Sequence, residues 1–396
     1  MSLSRRFLNL LVDSRIPRVR TLRRIDLTRH QLFRQEPPPL PPNGNANDAS
    51  QMERIRLPRH SITFRASAVD DQWGIHCFPL ADRKVLCADQ SGRAFLFDAD
   101  ARHVVTMPSL HKPKTMPFSL FVPSADADTN SDDSDAEYDP EDDYVEDGVG
   151  TLYVMEGSPR KEPVSEQPSE QFEAYVHGQR SETSFKAWDC HLLPPPPYVR
   201  DPSKRCPLVT SYGVVGDGSS HIVVSAEGAG TCVMDTATHT WEEIGSWLLP
   251  FNGKVEYVPE LKLWFGLSAN GQLVAADLST MDSKPRLVGK WREEFEPPEE
   301  WQEAQEPQLV NLGSGRFCVA RFFETVKTTR IANTAQTAAN GKRREAARRG
   351  EALGSHGYES GGGITQLSPL KYTLLGKAQP FSKVNVEGSF RNKSSD

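Results

Sequence analysis

An apolar strand that runs into a lone aspartate recurs along this 396-residue chain, and no other feature limits its fold so strongly. It reads Arg93-Ala-Phe-Leu-Phe97-Asp98, then Thr231-Cys-Val-Met234-Asp235, then Gln272-Leu-Val-Ala-Ala276-Asp277, each with glycine just upstream. The last two aspartates lie 42 residues apart, inside the ~40 to 50 residue period of a propeller blade. A feature that repeats with the fold serves the fold, because a carboxylate after a strand can accept the amides of the following turn. The recurrence predicts an all-β chain, a β-propeller, and little chemistry for its three acids. Glycosidases on propellers also gather carboxylates, but at the channel mouth and from residues that break the repeat.

Strand-like segments fill in the blades. Residues 62–66, 74–78, 84–88 and 93–97 read as a first set of four, and residues 118–122, 151–155, 172–176 and 187–193 as a second. Residues 212–215, 221–225, 231–234 and 241–247 give a third. The fourth opens on the hairpin 255–258 and 261–267, turned at Pro259-Glu260, and continues through 272–276 and 286–291. Residues 309–312 and 316–323 begin a fifth, after which only 371–375 and 381–386 read as strands. The thirty prolines and 28 glycines suit this succession of turns.

These spans predict three regions. Residues 1–53 are an amino-terminal segment ending in a proline-rich loop, with Arg20 to Leu27 as a strand that completes the last blade and closes the ring. Residues 54–326 are the propeller, interrupted by an acidic, disordered insertion at 124–149, and residues 327–396 are an irregular, partly disordered tail. The expected ring has six blades, the last atypical or incomplete.

The stretch Val233-Met-Asp235-Thr-Ala-Thr238-His-Thr-Trp241 resembles the kelch-type blade motif. Asp235 would bond the turn amides, Thr238 would support the turn, and Trp241 would pack between blades. The match is partial, since Gly228-Ala-Gly230 stands where kelch blades carry a diglycine and Val104 replaces the indole after Asp98. More widely, the chain resembles a plant family of uncharacterised kelch-like proteins, domains of unknown function related in form to F-box-associated propellers. The likeness lies in Ser4-Arg-Arg-Phe-Leu-Asn-Leu10, Leu22-Arg-Arg-Ile-Asp26, Asp89 to Asp98, Leu193-Pro-Pro-Pro-Pro-Tyr-Val199 and Tyr257 to Leu267. It implies the fold and an intracellular setting, and no activity. No F-box is visible before the first strand, so a ubiquitin-ligase adaptor role has no residues to support it.

Charge is unevenly placed. Residues 125–147 hold twelve acids and no base, while residues 1–34 hold nine arginines against Asp13 and Asp26. Within the acidic tract, Asp126 to Glu137 mimics a calcium loop, but Ser131 replaces its turn glycine and Asp133 its apolar anchor, so a solvated acidic loop is the better reading. Ser131 and Ser134, each followed by acids, are candidate phosphorylation sites whose phosphates would add to that charge. Lys342-Arg-Arg344-Glu-Ala-Ala-Arg348-Arg349 is a candidate nuclear-import or nucleic-acid patch, but it lacks interleaved aromatics and its alanines equally suit a short solvated helix.

The six cysteines form no C-x-x-C pair and the ten histidines no metal-binding spacing. No stretch has the length of an apolar membrane span. The sequence therefore predicts a cytoplasmic or nuclear, non-enzymatic interaction scaffold with no cofactor and an unidentified protein partner, with no membrane or nucleic acid. The opposing class is a hydrolase or lyase with a channel-mouth site on the same fold, and a third, weaker alternative is nucleic-acid binding through the basic termini.

Overall fold

Strands β1 (Phe7–Asp13) and β2 (Val19–Asp26) form an antiparallel hairpin; β3 (Glu53–Arg56) departs to a distant sheet, and β4 (His60–Arg65) returns to pair with β2. The computed structural model describes residues 6–13, 19–29, 53–56, 58–65, 74–80, 83–124, 150–179, 186–204, 207–215, 221–281, 283–291, 301–313, 315–327, 366–367, 371–377 and 384–387. The strands that follow make antiparallel four-stranded meanders. The first blade is β5 (His76–Pro79), β6 (Lys84–Ala88), β7 (Ala94–Asp98) and β8 (Val104–Met107). The second is β9 (Pro117–Pro123), β10 (Gly150–Glu156), β11 (Ser169–Gln179) and β12 (Lys186–Leu193).

The third blade is β13 (Val209–Val215), β14 (His221–Ala226), β15 (Gly230–Asp235) and β16 (Trp241–Gly245). The fourth is β17 (Asn252–Val258), β18 (Leu263–Leu267), β19 (Leu273–Ala276) and β20 (Leu287–Trp291). Their inner strands β13 and β17 pair in parallel, which joins the two blades into one eight-stranded sheet. In the last sheet, β21 (Trp301–Gly313) pairs with β22 (Arg316–Lys327), whose end also meets β23 (Gln366–Leu367). Next come β24 (Lys371–Lys377), β25 (Val384–Glu387) and, in parallel with β25, the early strand β3.

Burial along the blades shows why the strands read as they do. The middle strands β6, β10, β14 and β18 are buried at almost every position, whereas the outer strands β8, β16 and β20 are mostly exposed or half-buried. A radially stacked sheet has a neighbour on both faces at its middle and solvent at its rim, so strict alternation survives only in part. Each buried aliphatic or phenyl side chain is worth about 1.5–3 kcal/mol to these junctions.

Apolar clusters join each sheet to the next, and the series returns to its start. Leu22 and Phe64 of the three-stranded sheet meet Val85, Cys87 and Phe97 of the first blade. Leu86 and Leu96 then meet Leu152 and Tyr175; Tyr153 and Phe172 meet Ile222 and Met234; Val223 meets Val255 and Trp264; Phe265 meets Phe317. Finally Leu10, Val12 and Ile25 pack on Leu312, Cys318 and Phe322. This return is the β-propeller fold.

Three expectations change. Arg20 to Leu27 does not complete the last sheet: as β2 it is the centre of its own three-stranded sheet, and β3 is the amino-terminal strand that adds to the last one. Residues 62–66 do not open the first blade, because β4 pairs with β2, and the blade's fourth strand is β8. The sheet begun by β21 and β22 also runs past residue 326, since β24 pairs along β22 from Phe317↔Lys377 to Phe323↔Lys371.

The glycines ahead of the recurring strands have a conformational duty. Gly92 has φ +77° and a Cβ there would stand 2.5 Å from the Leu110 carbonyl oxygen; Gly230 has φ +92° and is equally crowded by Gly245. Both features exclude other residues.

Candidate functional site

The three repeated aspartates occupy one equivalent place, the turn from the third to the fourth strand of a blade. Asp98 Oδ1 accepts the amides of Asp100 and Ala101 at 2.8 and 3.0 Å, and Arg83 Nε lies 3.5 Å from Oδ2. Asp235 Oδ1 accepts the amides of Ala237 and Thr238, each at 2.8 Å, and these bonds hold its carboxyl below the ordinary aspartate value. Asp277 Oδ1 accepts the Ser279 amide at 2.9 Å. They sit in three different blades and are not brought together. Thr238 also places its hydroxyl 2.7 Å from that of Thr240.

Trp241 ties two blades. Its indole N–H donates to the Pro194 carbonyl at 2.9 Å, and its ring lies 5.8 Å from Phe172. Trp264 repeats the device one junction on, donating to Val214 O at 3.0 Å. Ser131 and Ser134, the whole acidic tract at 125–149 and the basic run at 342–349 lie outside the described residues. The amino-terminal arginines are partly engaged: Arg24 pairs with Asp100 and covers the Phe7 ring at 3.7 Å, and Arg23 donates to Pro58 O at 2.6 Å.

A cluster that no motif announced lies where the first blade meets the second. The loop after β8 carries His111, Lys112 and Lys114 over the face of β11 and β12. Lys114 is fully buried, and its ammonium donates to the carbonyls of Lys112 and Glu170, each at 2.7 Å, and to Glu173 Oε1. Glu173, equally buried, accepts on Oε2 the His111 amide at 3.0 Å and the Cys190 thiol at 3.2 Å, with His111 Nδ1 at 2.7 Å. Beside them the buried Glu156 faces Lys112 Nζ at 3.4 Å.

The electrostatics follow from this packing. Burial would raise the Glu173 carboxyl, but Lys114 and the His111 hydrogen bonds outweigh it and hold the group below the ordinary glutamate value. Burial lowers Lys114, with Glu173 and Glu156 opposing. The Cys190 thiol is pushed up, first by burial and then by the adjacent Glu173 charge.

The ligand atoms of His111, Glu173 and Cys190 lie within 4.8 Å of one another, a spacing open to a metal ion. The donor set does not favour one. The Lys114 ammonium already occupies the carboxylate, and the neighbouring thiol is held in its protonated form, whereas a metal takes the thiolate. The arrangement acts as an internal salt bridge that fastens the loop between blades.

A separate cleft of about 520 Å³ opens between the fourth blade and the last sheet, lined by Asn252, Ser268, Asn270, Glu303, Glu306 and Arg321. Glu303 clamps Arg321 through contacts of 2.9 and 3.2 Å. Amides, a hydroxyl and a partnered guanidinium can hydrogen-bond a polar ligand.

Sheets packed in this cyclic order, with acids spent on turns and indoles on junctions, define the chain as a β-propeller. It belongs to the family described as Protein of unknown function (DUF1668), which matches residues 5–365. No curated protein matches the chain. Among solved structures, it is similar to the β-propeller domain of Cps50 (Swd1) from Myceliophteria thermophila, at 10% identity and TM-score 0.35, over 81% of this chain and 85% of that one. It is also similar to a structural genomics protein of unknown function from Bacteroides thetaiotaomicron VPI-5482, at 11% identity and TM-score 0.34, over 64% of this chain and 55% of that one. Likenesses this distant carry no argument about function. Among the described residues, no helix is long and apolar enough to cross a membrane.

Proposed function

We propose that the chain is a non-enzymatic scaffold for protein interaction, built on a six-bladed, kelch-like ring. The cyclic order of the apolar clusters supports six blades, and the Asp235, Thr238 and Trp241 geometry supports the kelch likeness. One observation carries the functional reading: the conspicuous carboxylates are committed to cohesion. Asp98, Asp235 and Asp277 bind turn amides in separate blades, and Glu173 is neutralised by Lys114. Groups so engaged are poor general acids or bases, and the same framework leaves loops and a polar cleft to make contacts.

The acidic tract with Ser131 and Ser134 serves as a docking arm whose charge phosphorylation increases. Proximity labelling in the native cell, with the intact chain and with a version lacking residues 125–147, tests this reading. A reproducible set of neighbours that shrinks without the arm supports it. Identical sets would remove the arm's role, and no reproducible neighbour in either would remove the scaffold.

A further inference from the structure

Cys77 and Cys87 stand directly opposite each other on β5 and β6, with their sulfurs 3.6 Å apart. The Leu80 amide donates to Lys84 O, and hydrogen-bonded pairs alternate along an antiparallel ladder. Counting back two positions at a time makes Phe78/Leu86 a bonded pair and places Cys77/Cys87 at a non-bonded one. There the Cα atoms approach to about 4.5 Å, inside the range that a disulfide spans. Closing the bond needs sulfur movement of about 1.5 Å and no change of register.

The surroundings give the two thiols unequal roles. Cys77 is half-buried and reachable, whereas Cys87 is fully buried in the junction with the three-stranded sheet, beside Val85 and Phe97. Contact with Cys77, and then burial, push the Cys87 thiol up, while the Arg20 cation opposes them. The other described thiols are placed differently. Cys190 donates to Glu173, and burial pushes Cys232 and Cys318, in separate sheets, up to about 12.

We infer that Cys77 and Cys87 form a reversible dithiol site, oxidised by a small disulfide of the glutathione type, at the junction between the first blade and the three-stranded sheet. The Cys77 thiolate attacks one sulfur of the reagent and releases one thiolate, leaving a mixed disulfide on Cys77. Cys87 then gives up its proton and attacks the Cys77 sulfur, releasing the second thiolate. The protein loses two electrons and two protons, and the reagent gains them as two thiols.

The test treats the full chain with oxidised glutathione, blocks remaining thiols under denaturing conditions and maps the peptides by mass spectrometry. The expected product is a Cys77–Cys87 crosslink, with a melting temperature raised by about 2–4 °C that dithiothreitol reverses. Cys87→Ser should trap glutathione on Cys77, and Cys77→Ser should leave Cys87 unmodified. The inference falls if wild-type protein keeps both thiols alkylatable, if its crosslinks join other cysteines equally, or if Cys87→Ser traps nothing on Cys77.

Discussion

The second blade presents two unlike faces to its neighbours. Toward the first blade it offers Glu173, Tyr175 and Cys190, and receives a buried lysine. Toward the third it offers Tyr153 and Phe172, which meet Trp241, while Phe118 stacks on Tyr212 at 4.1 Å. Both junctions exclude water, but they specify their partners differently. An aromatic face is attractive to many apolar surfaces, whereas a carboxylate at zero exposure is tolerable only where its ammonium arrives. The polar junction therefore fixes the order of packing, and the aromatic one supplies adhesion.

The largest effect should come from breaking the charge pair. Glu173→Gln leaves Lys114 buried without its counter-charge and should cost about 3–5 kcal/mol, read from urea unfolding. Lys114→Met combined with Glu173→Leu should recover most of that loss; a double variant as weak as the single one would show that packing matters there more than charge. Because the folded Glu173 carboxyl lies below its unfolded value, its contribution is present above about pH 4.3 and fades as pH falls through the folded value. The glutamine variant should lack that acid limb.

A smaller loss is expected on the aromatic side. Trp241→Phe keeps a ring against Phe172 but strands the Pro194 carbonyl, for about 1–3 kcal/mol. If it matches Glu173→Gln, the proposed contrast between the two faces disappears.

Strand β5 of the first blade offers a titration. Burial first, and Arg20 second, hold His76 down at about 4. Between about pH 6.5 and that value the unfolded chain binds a proton that the folded chain refuses, so stability falls as pH is lowered through this window. The expected loss is about 1–3 kcal/mol, and His76→Phe, which can keep the stacking on Phe78, should flatten the slope. An unchanged slope would place the titrating group elsewhere.

The smallest effect belongs to the repeated turns. Asp98→Ala removes the acceptor of two turn amides and should cost about 1 kcal/mol in chemical denaturation. A loss several times larger would mean that the turn, and not the junction, organises the blade.

How much of this was legible in the sequence depended on distance along the chain. The second, third and fourth blades were readable because local strand patterns and Gly or Asp turns define antiparallel meanders. The placement of β4 was not, since pairing with β2 rather than β5 is decided by which sheet supplies Leu22 against Phe64. Lys114 and Glu173 stand 59 residues apart and share no motif. One trace was present: alternation along β11 puts Glu173 on the same side as Tyr175, a buried face where a lone acid demands a partner. The cysteine pair was equally hidden, because only the register of the β5–β6 hairpin turns a ten-residue separation into a sulfur contact.

The parallel bond between Glu53–Arg56 and Val384–Glu387 sets a timetable for biosynthesis. Early residues must wait, exposed, while more than three hundred others emerge from the ribosome. Until then an unfinished edge invites foreign strands, so nascent chains should depend on chaperones and tolerate premature stop codons poorly.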